Sequence, residues 1–498
     1  MWMGIDVGTG GTRALLVDAQ GRVAAGFTAA HEDILMRRPL WAEQRPENWW
    51  DAARVAIRGA LSQAGVSGAQ VRGIGLSGQM HGLVILDEAS AVIRPALIWC
   101  DQRSQPQVDA INRTVGRDKV LKYTANPVLT GFTLPKLLWV RDNEPHHFER
   151  VRHLLLPKDY LRFQLTGEYA SEVSDASGTS LFDVVARRWS CDMMDALGLD
   201  REILPTCHES SDVTGRITRG AAEATGLAEG TPVVGGGGDQ ASSAVGNGIV
   251  EAGIVSCTLG TSGVVFAHME DVAYDPAGRV HTFCHAVRGK WHVMGVTQSA
   301  GLSLQWFRNQ FAPGADYDAL TAEAAAAPAG AQGLFWLPYL MGERTPHLDA
   351  TARGGWVGLT ARHQRADLIR AIIEGVSYSQ RDCLDIIEEL GVPIESVRAS
   401  GGGARSPFWR QLLADILNKK VVTLSTQEGS AYGAALLALA GTGEYSSVPE
   451  VCRATIREVD SIGPRPAEAA YYAEAHQIYR SLYPALKPAF GQIAALAG

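Results

Sequence analysis

The sequence predicts an α/β protein built from two similar domains, and three observations carry that expectation. The chain opens with a strand, a glycine-rich turn and a second strand in "MGIDVGTGGTRALLVD" (3–18). The same order returns about half the chain later in "IVSCTLGTSGVVF" (254–266), a spacing far too long for a solenoid repeat. Strand, glycine loop and helix then alternate through both halves, as in layered α/β folds. At 498 residues the chain also exceeds one ordinary core. The expected division is 1–248 and 249–498, with the boundary falling in Gly246–Gly253.

The elements follow in order. "TRALLVD" (12–18), the turn "AQG" and "RVAAGFT" (22–28) read as a strand meander. "PENWWDAARVAIRGALSQAG" (46–65) has helical periodicity and a terminal glycine. A strand "VRGIGLS" and a loop "GQMHG" come next. "TPVVGGGGDQASSAVGNG" (231–248) is strand, glycine loop and helix. "LTAEAAAAPAGAQG" (320–333) is expected as a surface helix and linker. "ADLIRAIIEGVSYSQRDCLDIIEELG" (366–391) reads as a long amphipathic helix stopped by Gly391-Val392-Pro393. The strand "SVRAS" and the loop "GGGARS" (401–406) follow, and "EAAYYAEAHQIYRSLYPALKPAF" (468–490) is expected as a closing helix.

Composition excludes several classes. Hydrophobic residues make up 46% and charged residues 20%, which describes a globular chain. A net charge of -8 argues against nucleic acid or an anionic membrane as the main partner. No apolar run is long enough to span a membrane. "MWMGID" has neither the basic nor the apolar region of a secretory leader, so a cytoplasmic protein is expected. The seven cysteines are scattered without a C-x-x-C pair and read as reduced thiols. A homodimer is a reasonable default.

Two common phosphate-binding fingerprints fail at the first glycine turn. A dinucleotide fold needs G-x-G-x-x-G opening a helix, but the third position holds Arg13 and a strand follows. A P-loop needs Gly-Lys followed by Ser or Thr, and Gly289-Lys290 is followed by Trp291. Two glycine-turn hairpins could instead clasp a polyphosphate from two sides with backbone N–H groups. Asp6, at the mouth of the first, would repel that phosphate unless it held Mg²⁺, directly or through water. A strand-end Asp capping its own turn is the plainer alternative, and both stand on this stretch.

Asp239 in "VVGGGGDQAS" is the second acid. It could cap the following helix, yet a cap does not require four preceding glycines. Beside a ligand cleft, it fits a general base for a substrate hydroxyl. Gln79, Met80 and His81 could line a polyol pocket, although a loop histidine is more often structural. Trp99, Asp101 and Arg103 lie at another strand end, where open α/β sheets place ligands. "GGGARS" suits close backbone approach by a flat or phosphorylated group, or is an ordinary strand–helix turn.

Together these stretches resemble the FGGY carbohydrate kinases. "GIDVGTGGTR" and "LGTSG" are similar to that family's two phosphate hairpins, "GGGARS" to its adenosine loop and "GGGGDQA" to the loop bearing its catalytic Asp. "GFTLPKLLWVRDN" (131–143) and "GGWVGLTARHQRADLIRAIIE" (354–374) are similar to its signature stretches. "LSGQMHG", "LLPKDYLR" and "PYLMGERTPH" are most like the members acting on D-xylulose. The resemblance implies two actin-like ATPase (ribonuclease-H-like) domains with an interdomain active-site cleft. It implies transfer of the ATP γ-phosphoryl group to O5 of D-xylulose, with ATP and Mg²⁺ required. By carry-over Asp239 is the base, and Asp6 supports Mg²⁺ and phosphate. Met80 and His81 meet the sugar, with Gln79, Trp99, Asp101 and Gln240 as further candidates. Gly8, Thr9, Thr12 and Arg13, with Gly260, Thr261, Gly301, Gln305, Gly402 and Gly403, would line the nucleotide. Another ketose or polyol such as L-ribulose stays open as substrate. So does an ATP-driven switch like actin or the heat-shock chaperones, which would have no need of the sugar-side loops.

Overall fold

The computed structural model describes residues 1–426 and 428–496. Each half builds one seven-stranded sheet, and the two share a central arrangement of an antiparallel meander continued by parallel strands. In the first, Val23–Ala30, Gly11–Val17 and Trp2–Val7 form an antiparallel meander. Gly73–Gly78 joins Trp2–Val7 in parallel, Pro232–Val234 and Gly237–Gly238 join that strand in parallel, and Val213–Arg216 closes the edge antiparallel. In the second, Trp291–Thr297, Gly263–Met269 and Gly253–Leu259 repeat the meander. Ile394–Ser400 and Lys420–Leu424 add in parallel and Glu458–Ile462 antiparallel, while His281–Cys284 extends the meander edge. The repeated glycine turn was therefore the trace of a repeated sheet.

Local chemistry explains the elements. Trp2–Val7 is almost continuously buried, as a central strand covered on both faces must be. Helix Pro46–Ala64 starts on proline and ends at Gly65, whose φ of 64° suits the left-handed cap. Helix Arg365–Glu389 opens with a capping box between Gln364 and Asp367. The 320–333 stretch departs from expectation. Its helix, Tyr317–Ala326, buries Leu320, Thr321 and Ala324 because it packs against Arg365–Glu389 instead of lying free on the surface. The closing helix runs over Pro466–Leu496 and contains Pro484 and Pro488. All seven cysteines are free, and no helix among the described residues is long and apolar enough to cross a membrane.

Helix Gly429–Gly441 comes from the last quarter of the chain yet covers the first sheet. It is apolar around its whole circumference and buried, as a helix enclosed on all sides should be. It crosses helix Asp239–Gly246 so closely that only glycine fits. A Cβ on Gly433 would stand 1.7 Å from the Ser242 carbonyl oxygen, and one on Gly4 would stand 1.8 Å from that of Ala431. Trp2 Nε1 donates to Thr442 at 2.8 Å, and the Tyr432 hydroxyl donates to the Gly21 carbonyl at 3.0 Å. The two halves are thus tied through this helix. Gly433→Val is expected to lose at least the ~1–3 kcal/mol typical of overpacking, read as a lower melting temperature.

Between Gly73–Gly78 and Val213–Arg216 the chain leaves the sheet for a lobe of short helices. This lobe has its own core around Leu134, Leu137, Trp139 and Met193.

Candidate active site

Strand register places the two acids at one sheet end. Asp6 lies opposite Ser77 on the parallel neighbour, and Ser77 lies opposite Gly237 on its other side. The glycine run then delivers Asp239 two residues further on, at the carboxyl ends of the strands. Gly238 takes the helix-cap position, so capping is not the role of Asp239. Its Oδ1 accepts from the Gln240 N–H at 2.7 Å. Burial, then the charge of Asp6, pushes the Asp239 carboxyl up to about 7. Burial also raises Asp6, with Ser77 and Arg13 opposing it.

Asp6 Oδ1 is buried without a hydrogen-bond partner. An orphaned carboxylate oxygen beside a second acid suits a cation. Among the described residues no three His, Cys, Asp or Glu side chains gather into a complete metal cage. That donor set fits Mg²⁺, which keeps waters and binds through one or two carboxylates and substrate phosphates.

The residues expected on the sugar side, Met80 and His81, lie where the lobe meets both sheets. His81 sits at φ 67° with its ring stacked on Phe132, centroids 4.5 Å apart. Its Nδ1 lies 2.7 Å from the Gly178 carbonyl, an acceptor only, so Nδ1 carries the proton. Burial lowers the ring to about 3 and keeps it neutral, which leaves Nε2 as an acceptor for a hydroxyl. Lys136 donates to the His81 carbonyl at 2.9 Å and to that of Gly131 at 2.6 Å, fixing this turn. Met80 is buried against Gly238, where a Cβ would approach its Sδ to 3.0 Å. One glycine of the run is therefore explained by Met80. Trp99 is 45% exposed and donates from Nε1 to the Thr9 hydroxyl at 2.9 Å, which ties it to the first hairpin.

His81→Ala removes a neutral acceptor and a stacking partner. The sugar KM is expected to rise on the order of tenfold or more, as for one lost hydrogen bond with its packing, while the ATP KM stays nearly constant. Steady-state kinetics with each substrate varied would check this, and equal rises would mark the histidine as structural.

The nucleotide candidates of the second half converge. Gly260, Thr261, Gly301, Gln305, Gly402 and Gly403 all line one cavity of about 600 Å³. Gly301 donates to the Gly260 carbonyl at 2.7 Å, a Cβ on it would stand 2.6 Å from that oxygen, and Gly402 faces open space. Tyr317, Thr321, Ser406 and Trp409 complete the wall. Sequence reading missed Tyr317 and Thr321 because their helix, Tyr317–Ala326, looked like plain surface. It also gave no role to Arg344 of "GERTPH", whose charge helps lower both His81 and His281 from the second half of the chain.

Four candidates fall elsewhere. Asp101 is fully buried, and both its oxygens are taken by Arg103 at 2.7–3.1 Å and by the Ala42 N–H at 2.7 Å. Arg103 is itself held over Trp41, so both Asp101 oxygens are engaged within the protein. Gln79 turns its amide toward Gln44 at 2.9 Å and toward Gly8 and Thr9 at 3.4 Å, bracing the first hairpin. Thr12 is buried beneath the hairpin, bonded to His31 at 2.8 Å. Arg13 pairs with Glu428, Nε to Oε2 3.1 Å, and ties the first hairpin to the start of helix Gly429–Gly441. Gly8 and Thr9 remain at the mouth of the hairpin, and Gln240 stands half-buried beside Asp239.

Two phosphate-type hairpins on duplicated sheets, with a paired-acid site at one sheet end, define a two-domain phosphotransferase. Residues 1–246 match the N-terminal domain, and residues 255–442 the C-terminal domain, of the FGGY family of carbohydrate kinases. The chain belongs to that family and is a sugar kinase. It is 40% identical over 491 residues to the xylulose kinase of Escherichia coli (strain K12), covering 98% of this chain and 99% of that one. To the xylulose kinase of Bacillus subtilis (strain 168) it is 39% identical over 481 residues, covering 97% and 96%. A crystal structure of a xyloylose kinase from Brucella ovis superposes with a TM-score of 0.92 at 39% identity, covering 98% of this chain and 99% of that one.

Proposed function

We propose that this protein transfers the γ-phosphoryl group of ATP to O5 of D-xylulose, giving D-xylulose 5-phosphate. The observation that carries the reading is likeness along nearly the whole chain to proteins named xylulose kinase. Supporting it, a neutral histidine acceptor, a partly open indole and a carboxylate poised near neutrality converge on the sugar side. D-xylulose binds near Met80, His81, Trp99 and Gln240. ATP lies in the cavity of the second half, its phosphates reaching the two glycine hairpins.

Phosphoryl transfer asks a protein for positioning and charge neutralisation. Asp239 accepts the proton of the attacking hydroxyl, and its pKa near 7 matches that task. Asp6 would hold Mg²⁺, through water or directly, and the ion would supply positive charge to offset that of the transferring phosphate. Closure of the halves expels water from the reacting centre.

A coupled ADP-release assay across pentuloses and polyols tests the assignment. D-xylulose is expected to give the highest kcat/KM. Another sugar ranking above it, L-ribulose included, would reassign the substrate. ADP release indifferent to every sugar would point to a nucleotide switch.

A further inference from the structure

A set of charges with no part in the chemistry above lies fully buried behind the glycine run. Lys158, Asp159 and Arg162 come from "LLPKDYLR", and Glu172 and Asp175 from the segment that follows; none is exposed. Lys158 Nζ lies 2.7 Å from Asp159, 3.4 Å from Glu172 and 3.3 Å from Asp175. Burying five ionisable side chains for stability alone gains little, since apolar side chains of like volume do as well. The cluster's outward bonds show what it holds. Arg162 donates to the Gly235 carbonyl at the start of the glycine run. Glu172 accepts from the backbone of Ser174 at 2.7 Å and Asp175 at 2.8 Å, and from the Ser210 hydroxyl at 2.8 Å. The Ser174 hydroxyl donates to Glu172 Oε1 at 2.9 Å and accepts the Gly238 N–H at 3.1 Å.

That last pair is directional. A carboxylate only accepts, so it fixes the Ser174 hydrogen and turns the oxygen lone pair toward Gly238. Gly238 is the residue immediately before Asp239. Four glycines in a row leave a backbone without side chains to anchor it. Beside the pairing of Gly237–Gly238 with Gly73–Gly78, side chains from outside hold the run, Ser174 and Arg162 among them.

We propose that Ser174, locked by the buried Glu172 carboxylate, is a positioning residue that aims the Asp239 carboxylate by fixing the Gly238 backbone. The inference rests on the proposed role of Asp239 as base. It also gives "LLPKDYLR" a function, since Lys158 Nζ braces Glu172 from 3.4 Å.

The test uses the whole protein and its best pentulose. Ser174→Ala is expected to lower kcat about tenfold or more, because small misplacements of a reacting group are costly. ADP affinity should not move. The acidic limb of the kcat/KM profile should shift below that of the parent, as a loosened Asp239 becomes better solvated. A lowered melting temperature with kcat and pH limb unchanged would overturn the proposal. Should Ser174→Ala not fold, Ser210→Ala removes a different hydroxyl from Glu172 and is expected to give the same two shifts at smaller size; wild-type values there would also overturn it. Asp239→Asn measured alongside separates the two readings. If that variant turns over normally, the base assignment fails. If it is inactive while Ser174→Ala is normal, only the positioning role fails.

Discussion

Asp239→Asn is expected to lower kcat by roughly 10²–10⁴, the range for loss of a general base, with the sugar KM moving far less. The amide keeps shape and hydrogen bonding but cannot accept the proton. In the parent enzyme kcat/KM should fall about tenfold per pH unit below about 7, because the base is then protonated. The same shift carries a stability signature. Burial and Asp6 raise this carboxyl above its ordinary value of 3.8, so the folded chain holds a proton that the unfolded chain releases. The stability linked to that proton is complete below about pH 4 and is lost as pH rises toward 7. Asp239→Asn should therefore melt no differently at pH 4 and higher than the parent at pH 8, measured without nucleotide or magnesium. Near-normal turnover, or a variant less stable at pH 8, would remove Asp239 from this role.

Asp6→Asn is the second large effect. It deletes the acid whose buried Oδ1 has no protein partner. Turnover should fall, and half-saturation by magnesium should rise on the order of 10–100-fold, as for removal of a group that orients a metal. Asp6 also raises Asp239 by charge, so the acidic limb should move below 7. Magnesium titrations and pH profiles on the one variant check both. An unchanged magnesium dependence would end the metal assignment. An unmoved limb would mean that burial alone sets Asp239.

Much of the fold was legible because it is local. The strand–turn–strand at residues 3–18, the helix ending at Gly65 and the long helix before Gly391 each announce themselves by period and punctuation. So did the doubled architecture, through the recurrence of Gly-Thr turns. The helical lobe was not legible as a unit. Its core residues, such as Leu134 and Met193, are separated by short elements whose individual periods are too brief to read.

The candidate site divides in the same way. The glycine loops of the second half all reached one cavity, since glycine at a strand end marks backbone meant for close approach. Asp101 and Thr12 looked identical in kind to Asp6 and Thr9, and only packing separates them. Arg103 and the Ala42 N–H consume Asp101, and His31 consumes Thr12.

The amino-acid order alone determined the two sheets, their glycine turns and the presence of two acids at strand ends, because each depends on neighbours a few residues apart. The tertiary structure decided that Asp6 stands near Asp239, that helix Gly429–Gly441 returns to cover the first sheet, and that His81 is neutral. Those outcomes depend on burial and on charges from distant segments. Desolvation is a property of the packed molecule, and no stretch of sequence carries it by itself.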